Sequence, residues 1–169
     1  EQIKSGLFFA HVRASSGTST SRENCHPFRW GRLLFMHNGQ IEGYAQIRRK
    51  MESLIPDNAY THRHGTTDTE AFFLMMFAHN VESDPVGAFR NTIDSVEALQ
   101  REAGIDANIS MTAALSDGNK LIALRYASNN NTPPTLFWMD TDDCMIVVSE
   151  PYTETREEWT LLAPGQTIH

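Results

Sequence analysis

The sequence predicts an α+β domain with helices packed on antiparallel sheets, and three observations carry that expectation. The elements come in blocks: β-type runs first, helical segments in the middle, and period-two runs again from Ile109 onward. The later runs are joined by short turn signals, namely Asp117-Gly118, the acidic stretch from Asp140 to Asp143, and Pro164-Gly165, as antiparallel neighbours require. A length of 169 residues suits one hydrophobic core and is short for two, so a single domain over 1–169 is expected.

Leu7 to Val12 is a compact apolar run of β type, and Arg13 to Phe28 supplies the Ser, Thr, Gly, Asn and Pro of a long loop. Leu33 to Met36 reads as a second strand, ending at His37-Asn38-Gly39. There the Asn-Gly pair predicts a turn, because both residues tolerate positive φ. Tyr44 to Ile55 has good helix propensity and is closed by Pro56-Asp57-Asn58.

Thr67-Asp68-Thr69-Glu70 matches a capping box, in which the Thr67 hydroxyl and the Glu70 carboxylate each satisfy an orphan amide. The next helix therefore starts at Asp68 and is expected to run to Val81. Its body, Ala71 to Ala78, is apolar on every side. A sheet covers only one face, so another element or a second subunit, as in a homo-oligomer, must cover the outer one. Pro85 to Ala103 is amphipathic, with Phe89, Ile93 and Val96 on one side. Ile109 to Leu115 pairs with Lys120 to Tyr126 as a hairpin. Thr135 to Met139 and Cys144 to Ser149 form a second, and Trp159 to Leu162 adds one more strand.

A net charge of -7 offers nothing to a phosphate backbone or an anionic membrane, which argues against nucleic acid and membrane as partners. No apolar run approaches the roughly 20 residues of a spanning helix, and no basic-then-apolar leader opens the chain, so a cytoplasmic protein is expected. Two cysteines, Cys25 and Cys144, do not make a disulfide framework. Cys25 reads as a buried structural thiol, and Cys144 lies in an apolar run where burial would suppress its reactivity. The chain opens at Glu1 with no methionine, so residues upstream are expected.

Four stretches occur in order in the first half: His11-Val12-Arg13, Asn24-Cys25-His26-Pro27-Phe28, His37-Asn38-Gly39-Gln40 and Thr67-Asp68-Thr69-Glu70. Together they resemble the glutaminase domain of class II glutamine amidotransferases, which are N-terminal-nucleophile hydrolases. Ser149-Glu150-Pro151-Tyr152, and Trp159 ahead of Pro164-Gly165, are similar to the stand-alone YafJ-like members. That branch includes γ-glutamyl hydrolases resembling the ergothioneine-pathway enzyme, and the motifs do not separate the two. The resemblance implies a four-layer αββα sandwich whose N-terminal strands are missing from these 169 residues.

The resemblance also implies a chemistry. An N-terminal cysteine attacks the γ-amide of glutamine to form a thioester, with its own α-amine as base. An α-amine titrates near pH 8, so it can take the thiol proton at cellular pH. Glu1 cannot do this, so the resemblance leaves the nucleophile outside the sequence. Asn38 and Gly39 match the family's oxyanion donors, side-chain amide and backbone N–H; read alone, the pair is an ordinary turn.

Arg13 matches the arginine that holds the substrate α-carboxylate, a task its planar guanidinium suits. Asp68 matches the acceptor of the α-ammonium group, and as an acid at a helix start it also complements the dipole. His11, His26, His37 and Ser16 are read as supporting residues. Ala14 stands where synthase-linked relatives carry a larger aromatic side chain. His62-Arg63-His64 reads as a polar loop, and no metal or other cofactor is implied. The implied ligand is glutamine or a γ-glutamyl small molecule. A non-catalytic amino-acid-binding module, keeping Arg13 and Asp68 without a nucleophile, is the contrasting reading.

Overall fold

The computed structural model describes residues 5–12, 21–153 and 155–168. Strand β1 (Phe28–Trp30) turns at Gly31-Arg32 into β2 (Leu33–Ile41), and α1 (Tyr44–Ser53) and the single turn α2 (Asp57–Tyr60) follow. The central helices are α3 (Asp68–Met75) and α4 (Pro85–Glu102), and the rest of the fold is β3 (Ile109–Ser116), β4 (Leu121–Ala127), β5 (Phe137–Asp140), β6 (Met145–Val148), β7 (Thr160–Leu161) and β8 (Thr167–Ile168). A five-stranded sheet runs β1-β2-β3-β4-β8 and a three-stranded sheet runs β6-β5-β7, with antiparallel ladders throughout.

Side-chain alternation gives the large sheet two different faces. Met111, Ala113 and Leu115 of β3, with Ile122 and Leu124 of β4, face the helices, and Phe35 of β2 lies parallel to Phe73 at 5.3 Å and near Phe89 of α4 at 6.0 Å. Ala123 of β4 faces the other way, into a small cluster with Leu136 and Leu162 beside the three-stranded sheet. Arg125 is buried on that same face. It donates to the carbonyls of Pro133, Pro134 and Leu162, so three main-chain oxygens satisfy a guanidinium that has no carboxylate partner among the described residues. Among the described residues the order of layers is helices, large sheet, small sheet, which is the mixed α/β antiparallel arrangement expected.

The all-apolar helix is covered by its own chain. Ala71 to Met76 are buried among β2, α1 and α4, so no second subunit is needed for that face. Its end differs from the expectation of a run to Val81. The α-helix stops at Met75 and tightens into a 3₁₀ turn, Met76–His79, which Asn80 closes in the left-handed region at φ 58°. Leu7 to Val12 also differs. Its side chains alternate between partly buried and exposed, but the segment joins no ladder among the described residues, and hydrogen bonding rather than alternation defines a strand.

Candidate functional site

Asn38 and Gly39 do not form a turn. β2 continues through them to Ile41, with Asn38 opposite Thr112 and Gly39 opposite Met111, and the chain turns only at Glu42-Gly43. The glycine serves close approach instead. Gly39 sits at φ 133°, and a Cβ there would lie 1.9 Å from the Ser110 carbonyl oxygen.

Two bonds from this strand and one from the first residue of α1 fasten the start of α3. The Ile41 N–H donates to Asp68 Oδ2 at 3.0 Å, His37 Nδ1 lies 3.0 Å from the Thr69 hydroxyl, and the Tyr44 hydroxyl donates to the Thr67 carbonyl at 3.2 Å. The other Asp68 oxygen accepts the Thr69 N–H at 2.9 Å. The Thr69 hydroxyl also reaches that second oxygen at 3.5 Å, whereas Oδ2 carries only the Ile41 N–H, and the side chain remains partly exposed, so Asp68 can still accept from a cation through Oδ2. Burial pushes the His37 imidazole below its usual range, opposed by the charge of Asp68 and reinforced by His11. His11 reaches the His37 carbonyl through Nε2 at 3.1 Å and stacks on His26 at 4.1 Å.

The capping box is half formed. Thr67 Oγ1 accepts the Glu70 N–H at 3.2 Å as expected, but the Glu70 carboxylate turns away to accept the N–H groups of His64 and Gly65 and the guanidinium of Arg63. A buried arginine is a stronger partner for a buried carboxylate than a backbone amide, so the charge pair takes precedence over the cap. Arg63, expected in a polar loop, has its side chain 5% exposed, whereas its neighbour His62 rests its ring against Trp30 and, edge-on, His64. Asn24 is likewise structural in this region, bonding the Thr66 N–H at 2.8 Å. Spacing alone carries no signal for Tyr44 or Arg63, because their partners lie far along the chain.

Asn38 lines a cavity of about 370 Å³ together with His11, Thr112, Leu136, Val148 and Glu150; Asp68 and Gly39 are not on its wall. Arg13 and Ser16 lie outside the described residues. Both cysteines are exposed, contrary to expectation. Cys25 sits after a 3₁₀ turn with its thiol on the Ser21 carbonyl, and Cys144 stands on the turn before β6, bonded to Thr141, so neither apolar neighbourhood encloses its sulfur. Cys25 opens on a different cleft, of about 570 Å³, shared with Arg29, His62 and His64.

The family model for glutamine amidotransferases class-II matches residues 1–132. The chain belongs to the class II glutamine amidotransferases. It is 31% identical to the probable glutamine amidotransferase DUG3 of Saccharomyces cerevisiae, over 99% of this chain and 58% of the yeast protein. It is 30% identical to an uncharacterized protein of Methanocaldococcus jannaschii, over 73% of this chain and 33% of that one. The chain thus spans little more than half, and about a third, of these curated relatives. A glutamine aminotransferase class-II domain protein from Silicibacter pomeroyi superposes with a TM-score of 0.79 at 36% identity, covering 87% of this chain and 66% of that one. A predicted glutamine amidotransferase of Pseudomonas aeruginosa shares the fold at a TM-score of 0.55 and 18% identity. No described helix is long and apolar enough to cross a membrane.

Proposed function

We propose that the protein hydrolyses the γ-amide of glutamine, or of a γ-glutamyl conjugate, through a cysteine thioester. The observation that carries this reading is the bond from the Ile41 N–H to Asp68, which makes the aspartate and the Asn38-Gly39 strand one rigid unit. Alternate residues of an antiparallel strand send their N–H groups to opposite edges. Glu42 donates to Asn108 across the β3 ladder and Ile41 donates to Asp68 on the other edge, so the alternation assigns the Gly39 N–H to the Asp68 edge. One edge of β2 then offers a main-chain oxyanion donor and, beside it, an ammonium acceptor. The Asn38 amide supplies the second donor, and Arg13 takes the α-carboxylate.

Two charged groups reading only the amino-acid end leave the far side of the amide loosely defined, which is why γ-glutamyl conjugates belong in the substrate class. On this reading the nucleophile is a cysteine outside residues 1–169, which is supported by the observation that neither thiol within the sequence lines the cavity of Asn38: Cys25 lines its own cleft and Cys144 stands on the turn before β6. The test uses the full-length protein. Asp68→Asn is expected to raise KM for glutamine with kcat nearly unchanged, whereas Asn38→Ala is expected to lower kcat by about a hundredfold to a thousandfold. Labelling with an electrophilic glutamine analogue, followed by peptide mass spectrometry, locates the thioester residue. A label on Cys25 or Cys144 sinks the nucleophile assignment, and glutamine binding with no turnover favours the binding module.

A further inference from the structure

We infer that Tyr44 is a positioning residue for Asp68, acting through the Thr67 carbonyl and held in turn by Arg63; the inference rests on Asp68 receiving the substrate ammonium group. Tyr44 opens α1, three residues after Ile41, so one corner of the chain grips Asp68 at two points. Ile41 holds its carboxylate, and Tyr44 holds the carbonyl of the residue immediately before it.

The direction of these bonds is forced by proton count. A guanidinium only donates, so the 2.7 Å contact from Arg63 Nη2 fills an acceptor site on the Tyr44 oxygen and leaves its single proton for Thr67. Burial holds the phenol at a pKa of about 12, against the pull of Arg63 and Arg48, so that proton is always present in working conditions.

Arg63 is itself immobilised by Glu52, at 3.2 Å, and by Glu70, whose carboxylate also closes the loop at His64 and Gly65. The chain of contacts therefore runs from a buried ion-pair cluster through one hydroxyl to the backbone that aims Asp68. A network satisfied at every member holds one geometry, and a small displacement of an ammonium acceptor weakens substrate capture more than it slows the chemistry.

Tyr44→Phe is the informative variant because it orphans nothing. Thr67 keeps the Ala71 N–H on its carbonyl, and Arg63 keeps both glutamates. In the full-length protein, KM for glutamine is expected to rise about tenfold with kcat within about twofold, the size of one lost hydrogen bond. Arg63→Lys, which keeps the charge but not the fork, is expected to move KM the same way. Combined with Asp68→Asn, Tyr44→Phe should add no further rise, since the aimed carboxylate is gone. Urea unfolding of each variant ensures that KM is read on folded protein.

An unchanged KM, a fall in kcat alone, or fully additive effects overturn the positioning role while leaving Asp68 in place. An unchanged KM in Asp68→Asn overturns the Asp68 reading and this inference with it.

Discussion

The two faces of the large sheet are held by different means. On the helix face, Phe35, Phe72, Phe73 and Phe89 build a continuous aromatic core, β2 is joined to α3 by bonds at His37 and Ile41, and α1 is tied to the start of α3 through Tyr44. On the small-sheet face, the buried cluster is Ala123, Leu136 and Leu162, and the polar tie is Arg125 reaching three carbonyls. The difference teaches where precision resides. Close packing and side-chain hydrogen bonds fix Asp68 and the Asn38-Gly39 strand to one another, while the other face is a thinner seam around a cavity.

The largest effect that would break this contrast comes from glycine substitutions, one in each region. Gly39→Ala places a methyl against the Ser110 carbonyl at a positive φ, between two central strands that cannot separate without losing their ladder. A loss of more than about 3 kcal/mol in urea unfolding is expected. Gly165, at φ 78° in the turn before β8, has no heavy atom within 4 Å of a Cβ, so Gly165→Ala is expected to cost only about 1 kcal/mol of left-handed strain. Equal losses would show that the strand junction is no tighter than the surface turn.

A smaller effect sharpens the contrast by pH. Burial depresses the His37 pKa below the ordinary 6.5, so the folded protein holds the imidazole neutral. Above pH 6.5 neither state is protonated there and the full stability is present. As pH falls below 6.5, the unfolded chain takes up a proton that the fold refuses, and stability drops until the depressed folded value is reached. Urea midpoints measured from pH 7.5 down to about 5 should fall on this account, and His37→Gln should flatten the slope. A slope unchanged by His37→Gln would assign the pH dependence to other groups.

The smallest effect is expected on the seam side. Cys144 is exposed on a turn, where its backbone N–H and carbonyl, more than its sulfur, hold Thr141. Cys144→Ser is expected to change stability by no more than about 0.5 kcal/mol and to leave amide hydrolysis unaltered. A loss of activity would move the candidate site onto the small sheet.

Sequence periodicity was enough to determine the class of fold, the amphipathic helix α4 and the hairpin of β3 and β4, because each is set by local propensity and by which side chains must leave water. The order of four short motifs was enough for the family. What the tertiary structure alone decided depends on partners distant in the chain. Asn38-Gly39 has the composition of a turn, yet β3 pairs with it and makes it strand, since the ladder bonds outweigh a local turn preference and the glycine admits the Ser110 carbonyl. Glu70 has the position of a cap, yet Arg63 claims its carboxylate. Tyr44 and Arg63 gave no signal in spacing because their roles come from a buried charge cluster assembled from α1, the 61–67 loop and α3. Burial, which sets the worth of every polar bond, exists only once those segments have been brought together.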